Sequence, residues 1–281
     1  MKKPNTIFVI LLAILTFTVI VLTTRSRGQA PISFAQQKDE YPHVKAPPGV
    51  PEEKVKKFKE ELAKLPLADY DAAEPMDPQE RARRRSRNKV HDHTIGKEGT
   101  RLRLAELAVM NNDWEWGLKS TIPSVQSSAV IIGEVTENRA FVSDDKTRVY
   151  SEFAVRVEEI IKNDSDEPIT IGQGIFAERL GGRIRFPNGI STYIVAGQGM
   201  PDIGKKYVFF LGYNDREMGP LSPKEMSRHV LTAYELREGK VYPLDHPSGR
   251  DFEEHAGKDV ASFLEEIKRQ ANSRTEQGAA Q

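Results

Sequence analysis

The segment Ser128–Asn163, SAVIIGEVTENRAFVSDDKTRVYSEFAVRVEEIIKN, decides the fold. It opens on the apolar run Ala129-Val130-Ile131-Ile132, crosses a polar middle and enters a long alternating stretch. There Val149, Ser151, Phe153, Val155 and Val157 share one face, and Tyr150, Glu152, Ala154, Arg156 and Glu158 the other. Period-2 alternation of β-branched and aromatic residues predicts half-buried strands. The phase slip at Glu158-Glu159-Ile160-Ile161 predicts a bulge that curls the strand around a core. The segment reads as the first hairpin of a small closed or nearly closed sheet.

Further strands follow at short intervals: Pro168–Ile171, Ile175–Arg179, Arg183–Phe186 and Tyr193–Val195, with Pro187-Asn188-Gly189 as a turn. Ile203–Leu211 is the most apolar, and Val230–Leu236 pairs with Val241–Leu244 across Glu238-Gly239. Many short strands without intervening helices indicate a barrel or sandwich over residues 128–245. In residues 246–281, Val260, Phe263, Leu264 and Ile267 mark an amphipathic helix that covers one end or edge of the sheet, and Asn272–Gln281 reads as a disordered tail.

Upstream, residues 31–127 form a linker and helical arm. Pro51 with Glu52 and Glu53 starts a helix carrying the apolar stripe Val55, Phe58, Leu62 and Leu65, expected to pack on the β domain. Asp77-Pro78-Gln79-Glu80 is a second helix start, with an acidic N-cap and proline at the first turn. The helix it opens carries Arg81, Arg83, Arg84, Arg85 and Arg87, a candidate anion patch or a solvated basic helix beside a membrane or an acidic neighbour. His91-Asp92-His93 is the only close histidine pair, expected in a surface loop rather than a metal site. Leu102–Val109 suggests a short helix, and Trp114 or Trp116 is expected to anchor the arm to the β domain.

Residues 1–30 read as a signal peptide or an N-terminal membrane anchor. Met1-Lys2-Lys3 precedes the apolar run Ile7–Leu22, and with its flanking threonines (residues 7–24) it could cross a hydrocarbon core of roughly 30 Å. Gly28-Gln29-Ala30 is a small-x-small cleavage site. Either way, residues 31–281 are expected outside the cytoplasmic membrane, anchored by the N-terminus or secreted. The 281-residue chain has a formal net charge of zero and no cysteine. Neutrality gives no bias towards nucleic acid, and the missing cysteines exclude disulfides, thiolate zinc sites and a cysteine nucleophile.

Three stretches in order, Gly133-Glu134-Val135, Tyr150 to Lys162 with Val157 between, and Gly204-Lys205-Lys206-Tyr207-Val208 running to Leu211, carry a family resemblance. Over about residues 125–245 the chain resembles the OB-type barrel of the tissue-inhibitor-of-metalloproteinases and netrin-like group, and exported bacterial proteins of unassigned function with such a barrel. The resemblance implies the barrel fold and a leaning towards protein binding; with the arm and helix read above, the expected chain is mainly β, an OB-like small barrel with an N-terminal helical arm and a C-terminal amphipathic helix. It does not carry over the inhibitors' mechanism, which needs an N-terminal cysteine on the target's zinc.

No catalytic constellation stands out. Gly-x-Ser-x-Gly is absent, and the paired carboxylates Asp144-Asp145, Glu158-Glu159 and Glu253-Glu254 are adjacent rather than opposed across a cleft. Asp245-His246 could form a dyad with a distant hydroxyl. The sequence therefore leads to a non-catalytic binding or accessory module of the cell envelope, with a protein partner, no cofactor and no nucleic acid. The alternative is an envelope hydrolase using His246 or His229 with nearby carboxylates. The candidate contact surface comprises Arg81, Arg83, Arg84, Arg85 and Arg87, together with Arg179, Arg183 and Arg185 around the Gly181-Gly182 turn and the loops Gly181–Gly189 and Gly197–Pro201.

Overall fold

The computed structural model describes residues 51–92, 102–104, 107–110, 118, 120–213, 228–246 and 251–278. The apolar segment Ile7–Leu22, the Gly28-Gln29-Ala30 site, His93, Trp114 and Trp116 lie outside the described residues. Among the described residues no helix is long and apolar enough to cross a membrane.

In chain order the elements are α1 (Glu52–Ala63), β1 (Leu67–Asp69), α2 (Pro78–Val90), β2 (Leu107–Met110), β3 (Ala129–Val142), β4 (Val149–Lys162), β5 (Gly174–Leu180), β6 (Gly182–Phe186), β7 (Gly189–Val195), β8 (Lys206–Tyr213), β9 (Arg228–Arg237), β10 (Lys240–Pro243), a 3-10 turn (Phe252–His255) and α3 (Val260–Gly278). The protein is mainly β. Strands β3, β4, β5, β9 and β8 pair in that order, and β8 returns to β3, which closes an OB-like barrel. Every neighbour pair is antiparallel except β5 and β9, which run parallel and meet at only two residue pairs, Ala177 with Arg228 and Glu178 with His229.

The barrel interior is filled by Ile131, Val135, Phe153, Val155, Val157, Tyr207, Phe209 and Leu211 with smaller neighbours. Two bulges in β4 leave Glu158 and Ile161 unpaired opposite β3, where the phase of alternation slips. A bulge at Thr136 adds a third bend. Gly133 allows the close approach at this corner, because a Cβ there would lie 2.5 Å from Val155 Cγ1 and 2.9 Å from the Arg156 carbonyl oxygen.

The outer faces of β3, β8 and β9 bury Val130, Ile132, Val208, Phe210 and Tyr234 against Phe252 of the 3-10 turn and Phe263 and Ile267 of α3. The C-terminal helix thus covers the barrel as its stripe predicts. It also continues to Gly278, into the stretch read from sequence as a tail. A second sheet, β1-β6-β7-β2, packs on the protruding ends of β3 and β4 around Ala140, Val142, Val149, Ile184, Phe186 and Tyr193.

Two expectations are corrected here. Pro168–Ile171 forms no strand: Pro168 lacks an amide to donate, and Ile169 instead plugs the barrel core from a loop. The described residues of this stretch, 102–104 and 107–109, are not helical. Leu107–Met110 is β2, parallel to β7, so tertiary pairing overrides the helical spacing of the leucines. With β1 parallel to β6, the arm supplies two strands of the second sheet and is built into the β domain.

Gly133→Ala is expected to cost about 1–3 kcal/mol by overpacking the corner, measured by denaturant unfolding with unchanged cooperativity.

Candidate functional site

Helix α2 begins as read, with the Asp77 carboxylate accepting from the Gln79 amide at 3.0 Å. Its basic residues divide into two sets, one outward and one inward. Arg81 donates to the Pro75 and Met76 carbonyls, Arg83 pairs with Glu80 at 2.7 Å, and Arg85 with Glu74 at 2.7 Å. Arg84 and Arg87 turn inward onto β4 and β5. Arg84 reaches Glu152 at 3.4 Å and stacks over Phe141, while Arg87 contacts Glu152 and lies 3.6 Å from Glu178. The acidic neighbour of the basic helix is therefore the barrel itself.

His91, expected in a surface loop, is 2% exposed because it continues this contact. Its Nε2 lies 2.9 Å from Glu178, and its ring stacks on Tyr150 with centroids 3.9 Å apart. His229 of β9 meets His91 edge-on at 5.6 Å. Asp92 accepts from the Asp145 amide at 2.9 Å. Burial alone raises the Glu178 carboxyl. The His91 hydrogen bond and the charges of His91, His229 and Arg87 outweigh burial and hold it at about 2. Burial pushes the Tyr150 phenol up and lowers His229 to about 4. Two guanidiniums in this cluster disfavour a cation, and no three His, Asp or Glu groups among the described residues are arranged to hold a metal. In OB barrels the face of the second and third strands commonly receives ligands. Here α2 lies on that face.

Arg179, expected on a contact surface, is 1% exposed. It faces the barrel interior and forms a two-pronged pair with Asp245 at 2.6 and 2.8 Å. Asp245 also accepts from the Thr232 hydroxyl and the Gly199 amide, and Arg179 donates to the Gly199 carbonyl. Arg183 donates to the Ala63 carbonyl at the end of α1, and Arg185 pairs with Asp69 at 3.0 Å. Arg183 and Arg185 thus hold the arm.

The Arg179–Asp245 pair fixes the loop Val195–Asp202 in place. Gly197 accepts from the His246 amide and has φ +74°, and a Cβ at Gly199 would collide with the Leu244 carbonyl. Opposite this loop stands α1, with no fully buried residue of its own. Between them is a cleft of about 320 Å³. Phe58, Leu62 and Leu65 form one wall; Val195, Met200 and Leu244 form the other, with Glu61, Lys64, Gln198, Asp202 and His246 among them. In the sequence the loop Gly197–Pro201 is a candidate contact surface and the α1 stripe is expected on the β domain; that the two face each other across open space is not visible there. The signal was a stripe too narrow for a fully packed helix.

His246 pairs with Glu253 at 2.8 Å, away from the Asp245–Thr232 contact. Thr121, His255 and Glu254 do converge. Lys258, however, donates to His255 Nδ1, which leaves the proton on Nε2, facing the Thr121 oxygen. In that tautomer the imidazole donates towards the hydroxyl instead of accepting its proton. His229 and His91 are enclosed by α2.

Two outcomes are expected. Asp245→Ala leaves the Arg179 charge buried without its carboxylate and destabilises by about 3–5 kcal/mol in equilibrium unfolding. His229 folds with its pKa below the unfolded value of about 6.5, so the unfolded chain takes up more protons and stability falls as pH drops from about 6.5 to about 4. His229→Gln removes up to about 3 kcal/mol of that loss, read from urea midpoints across the interval. The Glu178 contribution is lost only at lower pH, from about 4.5 towards about 2. Compared with known proteins, the chain matches no model of a protein family and no curated sequence.

Proposed function

We propose that the chain is an exported or membrane-tethered, non-catalytic binding module of the cell envelope, and that the cleft between α1 and the Val195–Asp202 loop is its ligand site. The observation that supports this is a largely apolar cleft with one rigid wall and one adaptable wall. The loop is held by a buried ion pair, so it needs little ordering on binding. Helix α1 is attached through its C-terminal end, where the Pro66 carbonyl accepts from the Arg183 amide at 2.7 Å. The apolar N-terminal run is the basis for the compartment. The netrin-like resemblance adds the leaning towards binding rather than turnover, and a protein partner is one occupant to test.

Photo-crosslinking tests the site. The full chain carrying a benzophenone side chain at Leu62 or Met200 is expected to yield a discrete adduct in intact envelopes. The same group at Ile171, which is 68% exposed and does not line the cleft, is expected to yield none. Equal labelling from all three positions would remove the cleft as the ligand site.

A further inference from the structure

We infer that the cleft takes a single aliphatic chain of a membrane lipid, an inference that rests on the cleft being the binding site. The chemistry of the walls separates this ligand from a peptide or a glycan. An extended peptide needs partners for its own amides and carbonyls, and burying them unpaired is unfavourable. Several of the corresponding groups on the rigid wall are already committed. The Gln198 amide donates to Val195, the Gly197 carbonyl accepts from His246, and both backbone groups of Gly199 bond within the Arg179–Asp245 network. The Asp202 amide donates to the Tyr207 hydroxyl, and Pro201 has no amide at all. A chain of methylenes asks for none of these bonds.

The apolar lining is chiefly aliphatic and thioether, with Leu62, Leu65, Val195, Met200 and Leu244 around one aromatic ring, Phe58. A glycan site built on stacking would present aromatic faces, whereas Met200 is a flexible side chain that moulds to an irregular chain. Glu61, Lys64, Asp202 and His246 give the cleft charges of both signs, which suits a neutral or zwitterionic head group better than a polyanion. The position in the sequence agrees. The apolar run Ile7–Leu22 ends about thirty residues before α1, so a tether at the bilayer keeps this helix within reach of lipid. The narrow α1 stripe then has a physical reason: Phe58, Leu62 and Leu65 are half-buried against the site and are completed by the ligand.

The test uses the purified full chain with a diazirine-bearing lysophospholipid as the probe, and an apolar diazirine peptide and a diazirine fatty acid as parallel arms. The lysophospholipid is expected to label residues 58–65 and 195–200 saturably, with competition from unlabelled lysophospholipid. Leu62→Arg and Met200→Arg are expected to cut labelling about tenfold or more, because each places a charge against the chain. Leu62 is on a helix without fully buried residues, so its variant is expected to keep the parent's unfolding midpoint. Labelling by fatty acid alone would overturn the membrane-lipid assignment. Labelling by the peptide alone would overturn the aliphatic ligand and leave the cleft as a binding site. Diffuse labelling by every probe, indifferent to both substitutions, would overturn the ligand and the site together.

Discussion

The barrel closes on a seam of two residue pairs, and the charged contacts on either side of that seam hold the architecture. Parallel pairing of β5 with β9 is too brief to close a sheet by ladder hydrogen bonds alone. Consecutive residues of β5 reinforce it from opposite faces. Arg179 points inward and reaches Asp245 beyond β10, which in turn accepts from Thr232 on β9. Glu178 points outward beside His229, its neighbour across the seam, and takes the His91 hydrogen bond from the end of α2. Alternation of side chains along one strand thus ties two remote segments, the arm and the chain after the last hairpin, to the weakest junction in the barrel. Buried ion pairs of this kind contribute little net free energy over apolar packing. What they contribute here is geometry, since only one register of β5 against β9 satisfies both.

The same seam shapes the surface. Because α2 lies over β4 and β5, the barrel's outer face there is occupied from within the chain, and the open space lies instead beside the loop that Arg179 fixes. Three of the eight arginines that suggest an anion surface in the sequence, Arg84, Arg87 and Arg179, serve as internal fastenings. Arg183 and Arg185 clasp the arm, and the remaining three pair with acidic residues or carbonyls of their own helix and its approach. The net charge of zero is consistent with this: positive and negative groups meet inside the molecule.

Strand periodicity made most of the fold legible. The alternation from Val149 to Val157, the turn at Pro187-Asn188-Gly189 and the stripe ending at Ile267 all depend on local spacing, which the sequence displays directly. The errors were at places where partners are distant. Leu107–Met110 has helical spacing but is recruited by β7, and Ile169 is apolar without belonging to a strand. The candidate site was partly legible, since the Gly197–Pro201 loop and the α1 stripe were visible separately. Their apposition was not, because it depends on Arg179 and Asp245, 66 residues apart. A lone arginine in an apolar strand reads as an exposed residue until its carboxylate is found.

The second sheet has a consequence for the order in which the chain acquires structure. Strands β1 and β2 pair in parallel with the two members of the β6–β7 hairpin, each residue meeting a partner more than eighty positions later in the chain. During synthesis from the N-terminus, the arm must wait until about residue 195 has emerged before its strands find their partners. The local hairpins β3–β4 and β6–β7 can form early, because their loops are short. The arm's pairings carry a large loop-closure entropy and are distant in sequence, features that slow folding. The arm is therefore a late-docking element whose strand edges stay open longest, and the interval before docking is when the chain is most exposed to aggregation.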